Sequence, residues 1–80
     1  MAMKLVFLGR LEDVAGAGER EVAGAGSLDA LLDLLEPELA EALRAPRVRI
    51  AVNGALLADR AGIALADGDE VAFLPPVSGG

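Results

Sequence analysis

The stretch Arg47-Val48-Arg49-Ile50-Ala51-Val52-Asn53-Gly54 constrains the fold of this chain more than any other. Val48, Ile50 and Val52 recur at every second residue, the period of a strand with one buried face. Asn53 and Gly54 both accept positive φ, so the strand turns back into a hairpin, with Ala55-Leu56-Leu57 as a short return. The inward side chains of that hairpin then need a cover.

The cover is helical. Ser27 is a good N-cap, Asp29 suits the positive end of the dipole, and Leu28, Leu31, Leu32 and Leu35 recur at helical spacing. Pro37 breaks a helix interior but is welcome in a first turn. The pattern fits a helix ending near Glu36 and a second from Pro37 to Leu43, or one kinked helix. Leu39 and Leu43 continue the apolar stripe.

Three further strands are expected. Residues 4–9 carry β-branched and aromatic residues, and Leu5 and Phe7 face the core if Val6 and Leu8 take the opposite face. Residues 10–18 read as a loop, and residues 19–23 as a return strand with Val22 inward. Residues 58–66 read as an irregular connection. Asp67-Gly68-Asp69 then turns into the strand Glu70-Val71-Ala72-Phe73-Leu74, which Pro75 and Pro76 end because neither can donate to a ladder. The order β, β, α, β, short β, β, without repeats or a linker, describes one α+β roll with a helix across one face of the sheet.

Composition narrows the function. Of the 80 residues 54% are hydrophobic, but sixteen are alanine, so the core rests on Leu, Val, Ile and Phe. The only aromatics are Phe7 and Phe73, too few for base-stacking platforms. A net charge of −6 argues against nucleic-acid or anionic-membrane partners and for a partner with a basic surface. With no Cys and no His, thiol chemistry, the usual structural zinc and His acid–base catalysis are excluded. The apolar run near Met1 is too short for a secretory signal and no stretch approaches membrane-spanning length, so a cytoplasmic protein is expected.

Most local motifs have plain readings. Gly16-Ala17-Gly18 and Gly24-Ala25-Gly26 lack the spacing of a phosphate-binding loop and read as turns, although the second precedes a helix, where an anion could sit. Asp67, Asp69 and Glu70 lack the further ligands of a calcium loop and read as a solvated turn. Leu8 and Leu74, and less firmly Leu56, point away from the helix by alternation. They form either a partner-binding patch or scattered exposed leucines.

The end of the chain is more specific. Pro75 and Pro76 resist collapse onto the body, while Gly79 and Gly80 make a thin end that another backbone can approach closely. The only chemistry at Gly80 is its α-carboxylate, which becomes an acyl donor once activated, for instance as an acyl-adenylate.

Residues Asp67-Gly68-Asp69-Glu70-Val71-Ala72-Phe73-Leu74-Pro75-Pro76-Val77-Ser78-Gly79-Gly80 closely resemble the C-terminus of the molybdopterin synthase small subunit, the MoaD family of ubiquitin-like sulfur carriers. Element order and length resemble that family over essentially the whole chain, and Val52-Asn53-Gly54 and the opening strand with Phe7 look like family positions. The resemblance implies a ubiquitin-like β-grasp over residues 1–74, a mixed sheet with one main helix packed across one face, and an extended sulfur-carrying tail at 75–80.

It also implies a chemistry. An E1-like enzyme, using ATP, adenylates Gly80, which is then converted to a thiocarboxylate with sulfur from a separate donor. Gly79 gives the tail its slim reach into the active site of the large subunit, where the sulfur passes to cyclic pyranopterin monophosphate. Two small and two large subunits make the complex. The chain is then the small subunit of a sulfurtransferase, a cosubstrate without catalytic side chains, cofactor or metal of its own. Leu8, Leu56, Leu74, Pro75, Pro76, Val77 and Ser78 are its partner-contacting residues. Two other readings stand beside this one: a sulfur carrier for thiamin thiazole formation, and a ubiquitin-like modifier or binding module. The run of prolines before Gly-Gly favours the molybdopterin carrier over the thiamin one.

Overall fold

Burial alternates along the first and last strands, β1 (Met3–Phe7) and β5 (Glu70–Leu74). Met3, Leu5, Phe7, Val71 and Phe73 are buried, while Lys4 and Glu70 are exposed. The computed structural model describes residues 2–23, 26–57 and 63–75. In it β1 and β5 run parallel at the centre of a mixed sheet, with Leu5 opposite Val71 and Phe7 opposite Phe73. The other strands are β2 (Glu19–Val22), β3 (Arg49–Val52) and β4 (Ala55–Leu56), and the spatial order is β2-β1-β5-β3-β4. Every pairing except β1–β5 is antiparallel. Asn53 at φ 51 and Gly54 at φ 86 make the expected hairpin turn between β3 and β4.

Residues 10–18, expected as a loop, contain a helix, α1 (Arg10–Ala15). Glu12 and Asp13 sit in its first turn, Leu11 is buried, and Gly16 ends it in the left-handed region by donating its N–H to the Glu12 carbonyl at 2.9 Å. Leu11 is its one buried residue, so α1 has no apolar stripe like that of α2 to announce it.

The helical cover is two helices, α2 (Leu28–Asp33) and α3 (Pro37–Arg44), the first of the two arrangements that the sequence pattern allows. Glu36 adopts φ −57, ψ 141, the extended backbone favoured before a proline, and this separates them. The Ser27 hydroxyl accepts from the Ala30 N–H at 3.1 Å, as an N-cap should. Leu28, Leu31, Leu32, Leu35, Leu39 and Leu43 all lie in the core with Leu5, Phe7, Ile50, Val71 and Phe73.

The connection between β4 and β5 is less irregular than expected over residues 63–66. Leu28 donates to the Ile63 carbonyl and Leu65 to the Gly26 carbonyl, each at 3.1 Å, so this piece runs beside the start of α2. It delivers Leu65 to the core, a residue whose burial has no signal in the local pattern. No helix of the described residues is long and apolar enough to cross a membrane.

Candidate functional site

The sheet face opposite the helices carries the expected leucines. Cross-strand partners share a face. The register therefore sets Val6, Ala72, Ala51 and Leu56 in one row across β1, β5, β3 and β4. Leu8 and Leu74 each follow a buried phenylalanine and so fall on the same side, beside that row. Leu8 is 41% exposed and Leu56 58% exposed, while Leu74 and Val6 are half-buried. Alternation located Val6, Leu8 and Leu74. Leu56, beyond the hairpin turn, joins them through its pairing with Ala51.

Charge divides this face. Lys4 lies opposite Glu21 and Glu70, and its Nζ stands 3.4 Å from Glu19 and 3.8 Å from Glu70. These are exposed pairs, worth little as stabilisers. At the other end, where β5 finishes, Arg49 lies opposite Leu74. An apolar band thus runs between an acidic end and a single arginine beside the root of the C-terminal segment.

That root is Pro75, half-buried just past β5. Pro76, Val77, Ser78, Gly79 and Gly80, the remaining tail residues singled out in the sequence, lie outside the described residues. Pro75 packs against Gly9, at the corner between β1 and α1. Sequence reasoning treated Gly9 only as the end of a strand.

A second cluster joins the β3–β4 turn to the start of β5. Asn53 donates through Nδ2 to Asp69 at 3.0 Å, and its Oδ1 accepts from the Glu70 N–H at 2.9 Å. Its own N–H donates to the Glu70 carbonyl at 2.8 Å. The other carboxylate oxygen of Asp69 accepts from the Ala66 N–H at 2.9 Å. The Asn53 amide, and then the Ala66 N–H, hold the Asp69 carboxyl below its usual range. The turn expected to be merely solvated is a clamp, and Asp69 is committed to it. Similarly, hydrogen bonding from Arg20 draws the Glu36 carboxyl down and ties β2 to the start of α3.

Among the described residues no three metal-ligating side chains converge, and no buried polar side chain lacks a partner. What the described face offers is contact: an apolar band leading to the point where the chain leaves the sheet.

A comparison of the sequence with curated proteins returns no match. Solved structures do match. The small archaeal modifier protein SAMP1 of Haloferax volcanii is 32% identical, with a TM-score of 0.73 over 100% of both chains. SAMP1 of Methanosarcina acetivorans is 28% identical, with a TM-score of 0.77 over 99% of this chain and 96% of that one. A chain in the complex of subunits 1 and 2 of molybdopterin-converting factor from Helicobacter pylori is 28% identical, with a TM-score of 0.70 over 100% of both. The sheet and its helices therefore form the ubiquitin-like β-grasp that the sequence suggested. The ThiS family model matches residues 5–80, nearly the whole chain, and with that the protein belongs to the ThiS family of ubiquitin-like sulfur carriers.

Proposed function

We propose that this chain is the sulfur-carrying small subunit of molybdopterin synthase. The observation that carries the proposal is the ending Pro75-Pro76-Val77-Ser78-Gly79-Gly80 on a ThiS-family fold, leaving β5 beside an exposed apolar band. The neighbour from Helicobacter pylori, a complex of two molybdopterin-converting factor subunits, supports a large-subunit partner.

In this reading a carboxylate oxygen of Gly80 attacks the α-phosphorus of ATP on an E1-like enzyme, and pyrophosphate leaves. A sulfur nucleophile then displaces AMP, giving the thiocarboxylate. The apolar band of Val6, Leu8, Leu56, Ala72 and Leu74 docks on the large subunit, and the tail residues Pro76 to Gly79 thread toward its active site. The sulfur passes to cyclic pyranopterin monophosphate, and water returns the acyl carbon to a carboxylate. The carrier contributes position and a reactive end, while proton transfers fall to its partners.

A second reading is favoured by a specific observation, the likeness to small archaeal modifier proteins at up to 32% identity. There, the activated Gly80 is attacked by an amine of another protein and an amide forms. A chain carrying an installed C-terminal thiocarboxylate, mixed with a large subunit and cyclic pyranopterin monophosphate, tests the first reading. Molybdopterin with return of the carboxylate is the expected result. No product with a competent large subunit overturns it, and conjugates of increased mass after incubation with an E1-like enzyme and ATP would then support the modifier.

A further inference from the structure

We infer that Gly9 is a positioning residue for the C-terminal segment: its missing side chain leaves the space that the Pro75 ring occupies and so aims the chain as it leaves β5. An L side chain at Gly9 would place its Cβ 2.7 Å from Pro75 Cγ, with Pro75 Cδ at 3.5 Å and Cβ at 3.8 Å. All three nearest atoms belong to one proline. Its ring is tied to the backbone at both ends and cannot swing away as a flexible side chain would.

Gly9 differs in this from the other described glycines with positive φ. At Gly16, Gly54 and Gly68 a Cβ would meet nothing within 4 Å, so there only the backbone angle calls for glycine. Gly9 has φ 57 and ψ −136, and it also has a neighbour in the way.

The corner that carries Gly9 is itself anchored. Leu11 donates to the Leu8 carbonyl and Glu12 to the Gly9 carbonyl, each at 3.1 Å, at the start of α1. Leu8 donates to the Phe73 carbonyl at 3.1 Å, tying the corner to β5. Pro75 has no N–H, so it cannot donate to a ladder and hydrogen bonding from its own nitrogen cannot orient it. Packing of its ring against Gly9 takes over that role. The placement concerns the tail of the proposed carrier, and its consequence for activity rests on that reading, while its structural content does not.

Stereochemistry supplies the test. The 80-residue chain is within reach of chemical synthesis with L-alanine or D-alanine at position 9. D-alanine accepts positive φ and projects its methyl group away from the side that Pro75 fills. Nuclear Overhauser contacts between residue 9 and the Pro75 ring, and residual dipolar couplings of the Leu74 and Val77 amides, report the tail root without reference to function. The native chain should give those contacts. Gly9→Ala should lose them and change the couplings, with the Phe7 and Phe73 resonances little altered, and the D-alanine chain should stay close to native.

Sulfur transfer should fall by about tenfold to hundredfold in kcat/KM for Gly9→Ala, in keeping with the cost of misplacing a reacting group, and be nearly native for D-alanine. Equal perturbation by both alanines, or unchanged couplings in Gly9→Ala, overturns the inference. Because φ 57 by itself disfavours L-alanine, Pro75→Ala decides whether the ring is the cause, whether or not Gly9→Ala folds: removal of the ring should change the Val77 coupling with Gly9 intact, and an unchanged coupling overturns the idea. A native chain that transfers no sulfur but obeys the coupling pattern removes the proposed function and leaves the role of Gly9 intact.

Discussion

The rings of Phe7 and Phe73 stack with centroids 5.6 Å apart and planes 11° apart, on adjacent parallel strands at the centre of the sheet. The residues after them, Leu8 and Leu74, turn to the other face. One pair therefore closes the core and also determines which leucines remain outside. Phe73 is fully buried. We expect Phe73→Ala to cost about 3–5 kcal/mol, the usual loss for a large aromatic truncated in a core. In a domain this small that is a large share of the total stability, so the urea midpoint should fall steeply. A midpoint close to that of the native chain would mean that the ring is not the centre of the core.

Leu56 is exposed and can be changed without disturbing packing. Leu56→Glu should alter folding stability by no more than about 0.5 kcal/mol, as surface substitutions generally do. Its affinity for the large subunit should fall by roughly fivefold to 150-fold, the effect of about 1–3 kcal/mol for a charge forced into an apolar contact. Leu74→Glu should weaken docking as well. Calorimetric titration checks both, and undiminished affinity removes the leucine from the interface.

Deletion of Gly80, or addition of a bulky residue after it, should abolish formation of a terminal thiocarboxylate, read as the mass of the intact protein. The circular dichroism melt should be unchanged, because Gly80 has no side chain to bury in a core. Full sulfur transfer by either variant would contradict the tail mechanism.

Acid sensitivity should report the Asp69 clamp. Its carboxyl is held below the ordinary range chiefly by the Asn53 amide, so the folded state binds this proton less readily than the unfolded state. The contribution is fully present above the ordinary aspartate range and is lost as pH falls through the lowered folded value. Asp69→Asn should remove that part of the acid dependence and flatten the stability profile in this window. Urea melts at a series of acidic pH values measure the slope, and an unchanged slope would show that the bonds to Asn53 and Ala66 do not favour the charged form.

Much of this architecture was written locally. Alternation at Val48 and Ile50, the Asn53-Gly54 turn, the Ser27 cap and the leucine stripe need only neighbours a few residues away. Period and backbone preference act over that range, so they can be read from the chain itself. The helix at Arg10–Ala15 was not legible, because it buries Leu11 alone and so lacks the apolar stripe that marks α2. Leu65 reaches the core through pairing with residues near Ser27, far back along the chain.

The same division runs through the candidate site. By itself the sequence determined that a strand must stop at Pro75, that the residues after it end in two glycines, and that Leu8 and Leu74 oppose the phenylalanines that precede them. Those are consequences of one missing N–H, two missing side chains and a period of two. Only the tertiary structure decided that Leu56 joins that face, that Asp69 is bound to Asn53, and that Gly9 receives the Pro75 ring. Each of these depends on bringing together residues at least five, and in one case 66, positions apart. Such meetings are decided by strand register and by the packing of one element on another, which no short stretch of sequence contains.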